Sequence, residues 1–204
     1  MKTKDDWMNN FVAKLLPGDK LGLHADDFAA DAIQWGTDVG DKITMAHFFN
    51  YAGDGITIEA DGKHVCARHL INDYMFRVLH GHARLLVYRP SPPLTPEELQ
   101  NEKNFWTQYQ NADYNGWENF WFGAWGLIDK IAPAFGSWLS SHFTNPAYNS
   151  KSIVCSQEVI QCDKDNDRIY DPIVADKPIQ DMTPNELILR ITRTCLLVLD
   201  TDNC

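Results

Sequence analysis

The apolar positions change period along the chain. Trp7, Met8, Phe11, Val12, Leu15 and Leu16 recur at helical spacing, which predicts an N-terminal helix over about 5–16, ended by Pro17-Gly18. Leu21 and Leu23 predict a short strand. Between Ile43 and Ile58 the pattern is that of strands. Thr44 to Tyr51 makes one run and Ile56 to Ala60 another, with the turn residues Gly53-Asp54-Gly55 between them. Asp61-Gly62 marks a further hairpin point before Val65-Cys66-Ala67. Residues 72–80, with Tyr74, Met75, Phe76, Val78 and Leu79, suit either a strand or a short helix. Arg84 to Arg89 predicts a strand, stopped by Pro90, Pro92 and Pro93.

Past these prolines the signals become helical. Thr95 is an N-cap, Pro96 suits the first helical position, and Glu97 and Glu98 suit the positive end of the helix dipole. That helix is expected to reach about Asn111. Residues 113–125 are dense in aromatics and 127–143 are apolar and helical in pattern. Ser152 to Gln161 predicts a helix with Cys155 near its start, and Thr183-Pro184-Asn185-Glu186 has the form of a capping box. Thr194 to Leu199 predicts a closing strand. Strands lie early and helices late, so the expected fold class is α+β. One domain spanning 1–204 is expected, an antiparallel sheet or partial barrel packed against helices. The segment of about 95–145 would be an aromatic-rich helical insertion.

The hairpin has a consequence for chemistry. If Gly53-Asp54-Gly55 is a three-residue turn, Ala52 pairs with Ile56 and Glu59 falls opposite Phe49. Glu59 is then diagonal to His47 and on the same face. A two-residue turn would put it on the other face.

Composition narrows the function classes. The chain has 18 Lys and Arg against 28 Asp and Glu, a net charge of −10. Its pI is about 5.0. This acidity disfavours nucleic acid or an anionic membrane as partner, since both reward a basic face. With 12% aromatic residues the chain is built to fold. No apolar run is long enough to span a bilayer. The start, Met1 to Trp7, lacks an apolar signal core, so a cytoplasmic location is the expectation. The five cysteines, 66, 155, 162, 195 and 204, include no Cys-x-x-Cys pair. Free thiols in a reduced compartment are therefore expected, and no structural zinc.

Thiol catalysis requires a cysteine of lowered pKa, a histidine to take its proton and a polar group to orient that histidine. Cys155 opens an expected helix, where unpaired N–H groups favour the thiolate. His47 is the candidate base and Glu59 the candidate orienting group. Each also suits a plainer role: a buried cysteine, a core histidine, a solvent-facing strand-end acid.

The segments Pro17-Gly18-Asp19-Lys20-Leu21, Ala46 to Gly55, Ile56 to Ala60, Val87-Tyr88-Arg89 and Cys155-Ser156-Gln157-Glu158-Val159 resemble the circularly permuted papain-like enzymes, the NlpC-like amidases of the YiiX type. Histidine before cysteine is the permuted order. Thr183 to Leu187 is similar to the tail of that family, and the resemblance covers roughly residues 15–195. It implies Cys155 as nucleophile, His47 as general base and Glu59 as orienting residue, with no cofactor and no metal. The implied reaction is amide hydrolysis through a thioester on a peptidoglycan peptide or small amino-acid conjugate. A lipid acyl hydrolase or acyltransferase of the same fold is the second enzymatic expectation, and a non-catalytic binding or phage-associated structural protein the third. The chain departs from the family pattern at Val154, where a tyrosine is frequent, and matches loosely between Tyr88 and Cys155.

Other motifs carry less. Asp163-Lys164-Asp165-Asn166-Asp167 has Arg168 where a calcium loop needs glycine and Val174 where it needs glutamate. His80-Gly81-His82 would place two rings on one face if it were a strand, without an evident third ligand. Trp106, Tyr109, Tyr114, Trp117, Phe120, Trp121, Phe122 and Trp125 suit helix packing, or a wall that receives an acyl chain or glycan.

Overall fold

The computed structural model describes residues 3–26, 45–60, 64–110 and 195–202, together with 113–114, 132 and 152–153. The fold is α+β. Its centre is an antiparallel six-stranded sheet made of β1 (Lys20–Ala25), β2 (His47–Gly53), β3 (Ile56–Ala60), β4 (Val65–His69), β5 (Ala83–Pro90) and β8 (Cys195–Asp200), in the order β4-β3-β2-β1-β5-β8. Two short strands, β6 (Asp113–Tyr114) and β7 (Ser152–Ile153), pair in parallel as a separate two-stranded sheet. The predicted helix over 152–161 therefore does not include its first two residues. Among the described residues no helix is long and apolar enough to cross a membrane.

Both faces of the sheet are covered, because both sets of alternating residues are apolar. On one face lie Leu21, Leu23, Phe49, Tyr51, Leu85 and Val87, packed against Trp7, Phe11 and Leu15 of the N-terminal segment and Leu70, Tyr74 and Val78. Fully burying each large apolar side chain stabilises the fold by roughly 1.5–3 kcal/mol. The N-terminal segment is helical, as its spacing predicts, but its winding changes from turn to turn. An α turn, α1 (Lys4–Asp6), is closed by the Thr3–Asp6 capping box. A π turn (Trp7–Phe11) and a 3₁₀ turn (Val12–Lys14) follow it. Residues 71–79 resolve to helix: a π turn (Ile71–Met75) runs into α2 (Phe76–Leu79).

The opposite face is closed by α3 (Pro96–Tyr109), capped as its sequence predicts by Thr95, with Glu98 completing a capping box. Phe105 and Trp106 pack on Ala60 and Val65. A polar contact also pins this helix: the fully buried Lys20 ammonium lies 3.6 Å from Glu102 and reaches Asn50 Oδ1 at 3.4 Å. Lys20 and Asn50 are register partners on β1 and β2.

The Pro17-Gly18-Asp19 segment and the end of β5 meet. Arg89 donates to both carboxylate oxygens of the buried Asp19, at 2.8 and 2.7 Å, and to the Lys14 carbonyl. Asp19 also accepts the Leu16 N–H at 2.8 Å. Arg84 makes a similar two-point contact with Asp200, tying β5 to the edge strand β8.

The β2–β3 hairpin corrects one expectation. Gly53, not Ala52, pairs with Ile56, and the register shifts so that Tyr51 pairs with Thr57 and Asn50 with Ile58. The turn is the two-residue Asp54-Gly55, both at positive φ (52° and 75°), which is why the first is Asp and the second Gly. Ala52 is left as a bulge. The bulge cancels the parity of the tight turn, so Glu59 returns to the face of Phe49 and His47.

Candidate active site

His47 is the first residue of β2 and Glu59 the fourth of β3. Their side chains meet: His47 Nε2 lies 3.1 Å from Glu59 Oε2. The imidazole is 16% exposed and the carboxylate 2%, so the acid is sealed beneath a ring that solvent can reach.

The described contacts of the carboxylate come from the sheet face and the helical turn above it. Thr57, two residues back on the same face of β3, donates to Oε1 at 2.9 Å. Tyr74, from the π turn, donates its hydroxyl to Oε2 in a short hydrogen bond. Arg68 Nε, on the neighbouring strand, lies 3.9 Å from Oε2. Burial pushes the Glu59 carboxyl up. The hydrogen bonds from His47, Tyr74 and Thr57, with the charge of His47, outweigh it and hold the group below its ordinary 4.5. Burial and the adjoining Glu59 push the Tyr74 phenol well above its usual range, so it stays a donor.

Aromatic packing fixes the ring and its supports. Phe49 stacks on Tyr74 at 4.9 Å and contacts the His47 ring at 5.4 Å. Arg68 is held by Asp73 at 3.4 Å, and Asp73 also accepts the His69 N–H at 3.0 Å. Thr57 and Arg68 are register partners, as are Glu59 and Cys66. Cys66 is thus the described cysteine nearest the pair in register, and it is partly exposed.

The structure brings together two of the three residues expected from sequence, His47 and Glu59. Cys155 lies outside the described residues, as do residues 163–178 with the acidic run, and most of the aromatic segment. Sequence reading missed Thr57, Tyr74 and Arg68. Thr57 was within reach of it, since a period of two from Glu59 names it. Tyr74 and Arg68 carry no such signal.

His80 and His82 do not share a strand face. His80 is the C-cap of α2, its Nδ1 paired with the Phe76 carbonyl and its ring stacked on Phe76 at 3.9 Å. Gly81, at φ +77°, turns the chain, and His82 Nδ1 pairs instead with Asp26 at 3.2 Å. Among the described residues no group of three or more His, Cys, Asp or Glu is arranged to hold a metal ion.

No family model matches the sequence, and no curated protein matches it. Among solved structures the chain is similar to metalloprotein yiiX from Escherichia coli O157:H7, DUF1105, with a TM-score of 0.40 and 16% sequence identity, over 71% of this chain and 91% of that one.

Proposed function

We propose that the chain is a cysteine hydrolase that cleaves an amide bond through a thioester, with Cys155 as nucleophile, His47 as general base and Glu59 as the residue that orients the imidazole. The observation that carries this reading is the His47–Glu59 pair: a reachable imidazole at 3.1 Å from a sealed carboxylate kept ionised by three hydrogen-bond donors. A core histidine needs no such support. Because Nε2 is committed to Glu59, the thiol meets the ring at Nδ1.

In this mechanism the Cys155 thiol gives its proton to His47 and the thiolate attacks the amide carbon. The tetrahedral intermediate collapses as the imidazolium protonates the departing amine, leaving a thioester. His47 then takes a proton from water, hydroxide attacks the thioester, and the carboxylic acid leaves as the thiol is reprotonated. Glu59 keeps the ring in one tautomer and stabilises its charged form. The substrate class, a peptidoglycan peptide or small amino-acid conjugate, comes from the sequence resemblance.

Alkylation by iodoacetamide with peptide mapping tests the reading, across pH and on wild type and His47→Ala. Cys155 is expected to alkylate fastest of the five thiols below about pH 7, well under the ordinary thiol range. His47→Ala is expected to slow it by at least about tenfold. Alkylation of Cys155 no faster than that of Cys66, and indifferent to His47, would overturn it.

A further inference from the structure

The Glu59 carboxylate has four described neighbours, and one of them comes from outside the sheet. His47, Thr57 and Arg68 lie on β2, β3 and β4, whereas Tyr74 comes from the π turn Ile71–Met75 that follows β4. A π turn inserts an extra residue per turn and re-aims a side chain, and such turns gather at functional sites. This one is anchored at its start. The Leu70 N–H donates to the Gly55 carbonyl in the hairpin turn at 2.9 Å, and Asp73 holds the His69 N–H and Arg68. The Tyr74 ring is 5% exposed and stacks nearly flat on Phe49, with an interplanar angle of 17°. Phe49 in turn lies against His47. The four side chains form a closed circuit: His47 to Glu59 to Tyr74 by hydrogen bonds, and Tyr74 to Phe49 to His47 by ring contacts.

We propose that Tyr74 is a positioning residue whose hydroxyl fixes the Glu59 carboxylate in line with the His47 ring. His47 Nε2 and the Tyr74 hydroxyl share a single oxygen, Oε2, while Thr57 holds Oε1. Rotation of the carboxylate away from His47 would therefore break the Tyr74 hydrogen bond too. A phenyl ring in its place would still fill the space and stack on Phe49, but among the described residues would leave Oε2 with the imidazole as its one short hydrogen-bond partner. The inference rests on the hydrolase reading only in giving the ring a reaction to serve.

The test is a carbon-13 NMR titration of the Glu59 carboxyl and the His47 ring in the full chain, for wild type, Tyr74→Phe and replacement of Tyr74 by 3-fluorotyrosine. Loss of the donor raises the Glu59 midpoint, by about one pH unit for one hydrogen bond to a charged group. The more acidic fluorophenol is a stronger donor and lowers it. A residue that only fills space would leave the midpoint unmoved in both. The acid limb of Cys155 alkylation is expected to follow the Glu59 midpoint. If Tyr74→Phe does not fold, the fluorinated protein, which keeps ring and hydroxyl, carries the test alone. A Glu59 midpoint unchanged by the fluorinated residue overturns the proposal. Opposite shifts support it even if Cys155 proves insensitive to His47, an outcome that would sink the hydrolase reading instead.

Discussion

His47 and Glu59 face each other because Tyr51, and not Ala52, pairs with Thr57. The two-residue turn alone would send Glu59 to the face of Asn50, away from the imidazole. Ala52 absorbs the odd residue, and the alternation of the strands from Tyr51 back to His47 then matches that from Thr57 on to Glu59. Two opposite departures from a plain hairpin, a shorter turn and a bulge, restore the geometry that a three-residue turn would produce.

Deleting Ala52 should therefore spare the pair. The remaining chain can close as a regular two-residue hairpin with Gly53 opposite Ile56 and Tyr51 still opposite Thr57. The expected result is a His47 ring titration close to wild type and a stability loss of about 1 kcal/mol from the missing packing on α3. A His47 ring that titrates as in Glu59→Gln would show that the bulge itself, and not the register, places the two residues.

Acid should weaken the fold in a way that Glu59 reports. Its folded carboxyl lies below the ordinary 4.5, so its contribution is present above that pH and is lost as pH falls through the lowered value. Urea unfolding between about pH 3 and 7 is expected to show wild type more stable than Glu59→Gln by about 1–3 kcal/mol at the neutral end. The gap should close toward the acid end. A gap constant across that range would mean the charge contributes nothing.

Arg89 and Asp19 join two segments 70 residues apart through a two-point ion pair. The Asp19 hydrogen bonds hold the guanidinium pKa above its usual value, against partial burial. Removing Arg89 strands a carboxylate that is 1% exposed. Arg89→Ala is expected to cost about 3–5 kcal/mol. The double variant Asp19→Ala/Arg89→Ala should cost less than the sum of the two single changes. Additive costs by urea unfolding would show that the pair is not coupled.

Lys20 and Glu102 make the corresponding test on the other face of the sheet. Each single change, Lys20→Met or Glu102→Leu, leaves one buried charge without its opposite and is expected to destabilise by about 3–5 kcal/mol. The double change should recover most of that loss, since apolar side chains of similar length can fill the interface between β1 and α3. Equal damage in the double variant would show that the charges hold α3 through more than each other.

The N-cap of α3 was legible because Thr95 stands directly before Pro96 and the acids Glu97 and Glu98. The strands of the sheet were legible where alternation or a proline stop marked them, as in β2 and β5. His47 and Glu59 were legible as partners because a hairpin relates them through the sequence between them. The helical nature of residues 71–79 was not, since their apolar and polar positions fit neither period cleanly and packing on the sheet decided it.

Neighbours along the chain settle the α+β class, the hairpin, the helix cap and a histidine strand followed by an acid. What meets across distance is set by the packed fold. It paired Asp19 with Arg89, buried Lys20 beside Glu102, and lowered Tyr74 from a separate helical turn onto the Glu59 carboxylate. Those contacts depend on strand order and on how helices settle over the sheet. Spacing along the chain does not encode them, because each is selected by packing and by satisfying buried polar groups once the whole sheet has formed.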